Sequence, residues 1–109
     1  MTPKADLLQG SLLLLILKTL DLEPLHGWAI SKRIRQHSND VFHVNQGSLY
    51  PALYRLRDRG LIESEWTPTT EGRPVKVYRL TKKGRAALAT EQENWHLFSG
   101  AVDTVLARH

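Results

Sequence analysis

The hydrophobic period of this chain changes at Gly60, and that change leaves few architectures open. In VNQGSLYPALYRLRDRGLI, Val44 to Ile62, the residues Leu49, Ala52, Leu53 and Leu56 recur at i, i+3, i+4 and i+7, which predicts a helix with one apolar stripe. It stops at Gly60, with Arg57 and Arg59 in its last turn, where cations suit the helix dipole. Its start has two solutions. Ser48 as N-cap would leave Pro51 in the first turn, and Asn45 as N-cap would put Pro51 one turn deeper. Beyond Gly60 the pattern alternates. LIESEWT, Leu61 to Thr67, puts Ile62, Ser64 and Trp66 on one face, and VKVYRLT, Val75 to Thr81, is rich in Val and Tyr. PTTEGRP, Pro68 to Pro74, is a loop by its Pro and Gly, so the two segments form a hairpin with a projecting tip. Arg73 lies in the tip and Lys76 follows it.

Helices are predicted on both sides of this unit. DLLQGSLLLLILKTL, Asp6 to Leu20, is apolar nearly all round in its second half, which implies burial on more than one face. EPLHG, Glu23 to Gly27, reads as a turn. WAISKRIRQH follows as a short amphipathic helix on Ile30 and Ile34, before SNDVFHVNQG interrupts the pattern. Thr81 can cap a last helix that runs from Lys82 to about Arg108. Trp95, Phe98, Val102 and Val105 recur along it at steps of three, four and three, the spacing of a packing seam. Such a helix is roughly 39 Å long, more than the small domain before it can cover. Its seam therefore needs a partner.

A length of 109 residues sets an expectation of one folding unit, divided here into residues 1–81 and a C-terminal helix at 82–109. With no cysteine, neither a disulfide framework nor a thiolate site is available. The purely aliphatic run Leu12 to Leu17 is far short of the ~20 residues of a membrane span. Asp6 speaks against a secretory signal, so a soluble, cytoplasmic protein is expected. The net charge of +4 is unevenly spread: residues 24–85 hold twelve Lys or Arg against five Asp or Glu, and both flanks are weakly acidic. A basic centre suits an anionic partner such as nucleic acid.

Catalysis has no visible centre, because GxSxG, GxxxxGK, GxGxxG and HExxH are all absent. His37, Asp40 and His43 are the nearest approach to a metal cluster, yet zinc sites usually need three or four ligands at suitable spacing. No metal, no cofactor and no enzymatic activity are expected. The order helix, helix, helix, hairpin with a basic tip, helix is instead that of a winged helix-turn-helix, mainly α with a small β-hairpin. On a helical wheel the face opposite Leu49 and Leu53 carries Gly47, Pro51, Tyr54, Arg55 and Asp58, with Ser48 and Tyr50 on its flanks. Two exposed tyrosines beside an arginine suit contact with double-stranded DNA better than simple solvation does. A winged-helix module that docks a protein through the same tyrosines is the rival reading.

These segments resemble the PadR-type transcriptional regulators. The resemblance is carried by DLLQGSLLLLILKTL, LHGWAISKRI, QGSLYPALYRLRDRGLI, GRPVKVYRLTKKG and ENWHLF, in the order and spacing of that family. It implies a homodimer, usually a repressor, on an inverted-repeat operator. It also implies DNA contacts from Gln46, Ser48, Tyr50, Tyr54 and Arg55 on the reading helix, from Arg73 and Lys76 on the wing, and from Lys32 to a phosphate. The dimer interface implied is the last helix, at Trp95, Phe98, Val102, Val105 and Leu106, with help from the first. Some relatives hold planar aromatic effectors near a tryptophan matching Trp95. Two features depart from the strongest form of the pattern. Asp58 on the outer helix face repels phosphate, and Glu71 makes the wing less basic.

Overall fold

Capping residues decide where the helices lie. In the computed structural model, which describes residues 3–108, α1 spans Pro3–Leu22, α2 Gly27–His37, α3 Gln46–Asp58 and α4 Lys82–Leu106. Of the two possible caps for α3, Asn45 takes the position, and its Oδ1 accepts the Ser48 amide at 2.9 Å. Pro51 thus lies inside the helix and offers no amide hydrogen to the Gly47 carbonyl. Both residues are exposed, so solvent can reach that carbonyl. At the other end, the Gly60 amide donates to the Arg57 carbonyl at 2.9 Å and the Leu61 amide to the Leu56 carbonyl at 3.0 Å. This pair of bonds is a Schellman motif, which requires a left-handed residue, and Gly60 supplies it with φ 76°. The chain leaves the helix directly as a strand.

β2 (Ile62–Thr67) and β3 (Val75–Leu80) form the expected antiparallel hairpin, with Ile62 opposite Leu80 and Trp66 opposite Lys76. A third strand, β1 (Leu25–His26), pairs with the other edge of β3, giving the order β1-β3-β2. Glu23–Gly27 is therefore not simply a turn. His26 is the N-cap of α2, and an N-cap residue is itself extended, here with φ −78° and ψ 162°. The residues just before α2 are thus free to pair with an open sheet edge, and Pro24 and Gly27 flank the strand rather than bend it.

Strand alternation sends Ile62, Tyr78 and Leu80 into the core. There they meet Leu12, Ile16, Leu17 and Leu20 of α1, Ile30 and Ile34 of α2, the α3 stripe of Leu49, Ala52, Leu53 and Leu56, and Leu88 of α4. Each such Leu or Ile side chain contributes about 1.5–3 kcal/mol by leaving water. Leu13, Leu14 and Leu15 of α1 are only half-buried, so the apolar girth of this helix is not used up within the described chain. No helix among the described residues is long and apolar enough to cross a membrane.

The start of α4 is bound to the end of α3. Thr81 is the N-cap of α4, accepting the Gly84 amide at 3.0 Å, and its hydroxyl also donates to the Gly60 carbonyl at 2.7 Å. The Thr81 amide donates to the Leu61 carbonyl at 3.1 Å, and Lys83 Nζ to the Arg59 carbonyl at 2.9 Å. Gly84 is buried so tightly here that a Cβ would lie 2.0 Å from the Leu61 carbonyl oxygen. From this corner α4 runs for 25 residues and gives the molecule a long dimension of 60 Å.

Two stability outcomes follow. Gly84→Ala should cost about 1–3 kcal/mol through overpacking against backbone that cannot swing aside, read as a lowered urea midpoint. Tyr78 gives a pH signature: burial pushes its phenol above the ordinary 10.0, Tyr54 and Tyr50 reinforce the rise, and Arg57 opposes it. The folded chain then holds this proton where the unfolded chain has lost it. The contribution is complete below pH 10 and is lost as pH climbs through the raised folded value. Urea midpoints taken across this alkaline range should fall less steeply for Tyr78→Phe than for the parent.

Candidate nucleic-acid interface

α3 presents Gly47, Pro51, Tyr54 and Asp58 to solvent, on the side away from Leu49, Leu53 and Leu56. The two tyrosines are not equivalent, contrary to the expectation of two exposed rings. Tyr54 is 48% exposed, whereas Tyr50 is half-buried and packs against the core. The Tyr50 ring lies over the backbone of Gly27, where a Cβ would come within 2.6 Å of its hydroxyl. Gln46 is exposed at the first helical position, and Ser48 is half-buried with its amide held by Asn45. Arginines border the exposed face on both sides. Arg57 has its guanidinium 5.4 Å from the centroid of the Tyr54 ring, within cation–π range. Arg55 is exposed and, with Arg59, also lines a groove on the opposite flank.

The wing brings its residues together only in part. Arg73 is exposed at the tip beside Gly72, and its carbonyl accepts the Thr69 hydroxyl at 2.6 Å. Lys76 is half-buried, with Nζ 5.8 Å from the centroid of the Trp66 ring. Lys32, on α2, is exposed and places Nζ 5.0 Å from the Trp28 ring, which in turn stacks on His26 with centroids 6.2 Å apart. Arg57 and Trp66 are the members of this surface that sequence reasoning passed over. Arg57 stands three residues after Tyr54, a usable signal, but the pairing of Trp66 with Lys76 depends on strand register.

The seam of α4 continues a stripe that begins buried. Gly84 and Leu88 pack on the domain, and farther along the same side Trp95, Phe98, Val102, Val105 and Leu106 are exposed. Trp95 and Phe98 lie with ring centroids 6.1 Å apart at a tilt of 34°. They wall a groove of about 490 Å³ whose other sides include Leu13 and Leu14 of α1, Arg55 of α3 and Arg59 at its C-cap. Leu97 is also exposed, on the other side of α4.

Among the described residues the histidines gather no ion site. The Arg35 guanidinium bonds to Asp40 and holds its carboxyl below the ordinary range, and His43 Nε2 lies 2.8 Å from the Asp40 carbonyl oxygen. Among the described residues no group of three or more His, Cys, Asp or Glu could hold a metal ion.

Comparison with known proteins agrees with this geometry. The pattern of the "Transcriptional regulator PadR-like family" matches residues 16–90. The chain is similar to the transcriptional regulator Rv3488 of Mycobacterium tuberculosis, with 38% identity over 68 residues, 62% of this chain and 60% of that protein. Its fold is similar to a PadR family transcriptional regulator from Eggerthella lenta at a TM-score of 0.84 and 31% identity, covering 96% of this chain and 89% of the other. A PadR-like transcriptional regulator from Bacillus cereus gives a TM-score of 0.81 and 29% identity over 95% and 99% of the two chains. With its three helices, small antiparallel sheet and long last helix, the chain belongs to the PadR-like family, whose members are transcriptional regulators with a DNA-binding winged-helix fold and not enzymes.

Proposed function

We propose that this regulator is a cytoplasmic repressor that binds an inverted-repeat operator as a homodimer, reading base edges with α3 and gripping the backbone with the wing. The observation that carries the proposal is the solvent face of α3, where an exposed tyrosine stands between arginines on both flanks. Gln46, Ser48, Tyr50, Tyr54 and Arg55 are assigned to the reading helix, Arg73 and Lys76 to the wing and Lys32 to a phosphate. In a symmetric dimer the two α3 helices would enter successive major grooves about one helical turn apart. Residues 1–81 then form the DNA-binding unit and 82–109 the dimerisation helix. What supports self-association is the uncovered continuation of a buried stripe along α4 through Trp95, Phe98, Val102, Val105 and Leu106. The groove beside Trp95, with two arginines in its wall, supports a planar aromatic effector as an addition to this role.

Affinity should come mostly from phosphate contacts and site choice from base contacts. Tyr54→Ala and Arg55→Ala are each expected to weaken operator binding at least tenfold, about 1.4 kcal/mol, in fluorescence anisotropy titrations. Wild-type affinity in both variants would refute the contact assignment. Parent binding should also fall log-linearly and steeply with salt through counterion release, which a protein-docking module would not show. For the seam, Val102→Asp places a charge where desolvation is costly and should yield monomers in sedimentation. A variant that stays dimeric at micromolar concentration would show the interface to be elsewhere.

A further inference from the structure

We infer that Trp66, with Lys76 beside it, is the wing's principal contact with the sugar–phosphate backbone of the DNA that α3 engages. The inference rests on the DNA-binding role proposed above and adds a residue and a chemistry to it. On one face of the sheet, three rungs follow one another: Ile62 opposite Leu80, Ser64 opposite Tyr78, and Trp66 opposite Lys76. The first rung is core and the second half so. In the third, Trp66 is 66% exposed. The inner face of the sheet therefore runs on past the residues that its own helices cover.

That overhang lies on the side of α3. β2 packs against α3, and Tyr78, one rung inward, is buried in the same core as Leu49, Leu53 and Leu56 of that helix, with Tyr50 packed against it. The sheet also sorts its charges. Glu63 and Glu65 of β2 stand on the opposite face, where Glu65 pairs with Arg79 at 2.6 Å. Trp66 shares its face with Lys76 and, within β2 and β3, with no carboxylate. An anionic partner is admitted there and an acidic one is not repelled, as it would be on the other face.

The pair matches the two components of a nucleic-acid backbone. The indole supplies flat apolar area for a deoxyribose, and the ammonium 5.8 Å from the ring centroid supplies a donor for the adjoining phosphate. Strand pairing holds both residues one rung from the end of the ladder, so little ordering is left to do on binding. Arg73 sits outside the ladder, in the loop beyond it. For this reason the rung, rather than the tip, is assigned the larger share of the wing's grip.

The test uses full-length protein labelled with 5-fluorotryptophan, whose three tryptophans give separate fluorine resonances, with Trp66→Phe identifying one of them. The probe is a duplex recovered by the wild-type protein from a random-sequence pool. The Trp66 resonance should shift on addition of duplex and saturate together with anisotropy. Trp66→Ala should lose about tenfold in affinity, as a buried aromatic anchor does, with an unchanged salt slope because no charge is removed. Lys76→Met should instead lower that slope by about one. An unmoved Trp66 resonance in a complex that anisotropy shows to be formed overturns the wing assignment and leaves α3 standing. Wild-type affinity in Trp66→Ala does the same. A resonance that moves with protein concentration alone makes a second copy the occupant and overturns it too. Failure of the wild-type protein to recover any duplex overturns both readings. Should Trp66→Ala fail to fold, the wild-type resonance still decides.

Discussion

Three successive carbonyls, those of Arg59, Gly60 and Leu61, are taken by donors from Thr81 and Lys83, and the orientation of the whole molecule depends on this corner. The Schellman turn at Gly60 points these carbonyls out of α3 just as the chain becomes a strand. The hairpin then returns the chain to the same place, where Thr81 serves as cap for α4 and as clamp on α3 at once. Gly84 completes the fit by letting the α4 backbone meet the Leu61 carbonyl. Three backbone carbonyls, met by the Thr81 amide, the Thr81 hydroxyl and the Lys83 ammonium, thus set the angle between the helix that presents Tyr54 and the helix that carries the uncovered seam.

Most of this was legible in the sequence, because each signal is local. The period of Leu49, Ala52, Leu53 and Leu56, the stop at Gly60, the alternation on either side of PTTEGRP and the cap at Thr81 all use rules that act within a few residues. What was not legible depends on distant neighbours. Asn45 and Ser48 are both good caps, and nothing within reach of either chooses between them. β1 is two residues long, too short for any period, and exists because β3 offers an open edge.

The interface divides along the same line. A helical wheel gives the direction of Tyr50 but not what waits there, and the bare backbone of Gly27 lets its ring lie down. Tyr54 has no such bed and keeps its ring in solvent, with Arg57 over it. Trp66 is likewise recognised only through the register that sets it opposite Lys76. Charge shows the same contrast: the basic middle of the chain is evident from counting, yet the segregation of Glu63 and Glu65 to one side of the sheet needs the pleat.

The interior position of Pro51 gives α3 an uneven mechanics. One end is fastened through the carbonyls of Arg59 and Gly60 and the amide of Leu61, whereas the other is held by one Asn45 cap and lacks the backbone bond that Pro51 cannot make. Packing makes up for the missing bond, because Leu49 is wholly buried and Tyr50 lies against the Gly27 backbone at that end. The two ends of the reading helix are therefore held by different means, one by hydrogen bonds to the last helix and the other by the core that it covers.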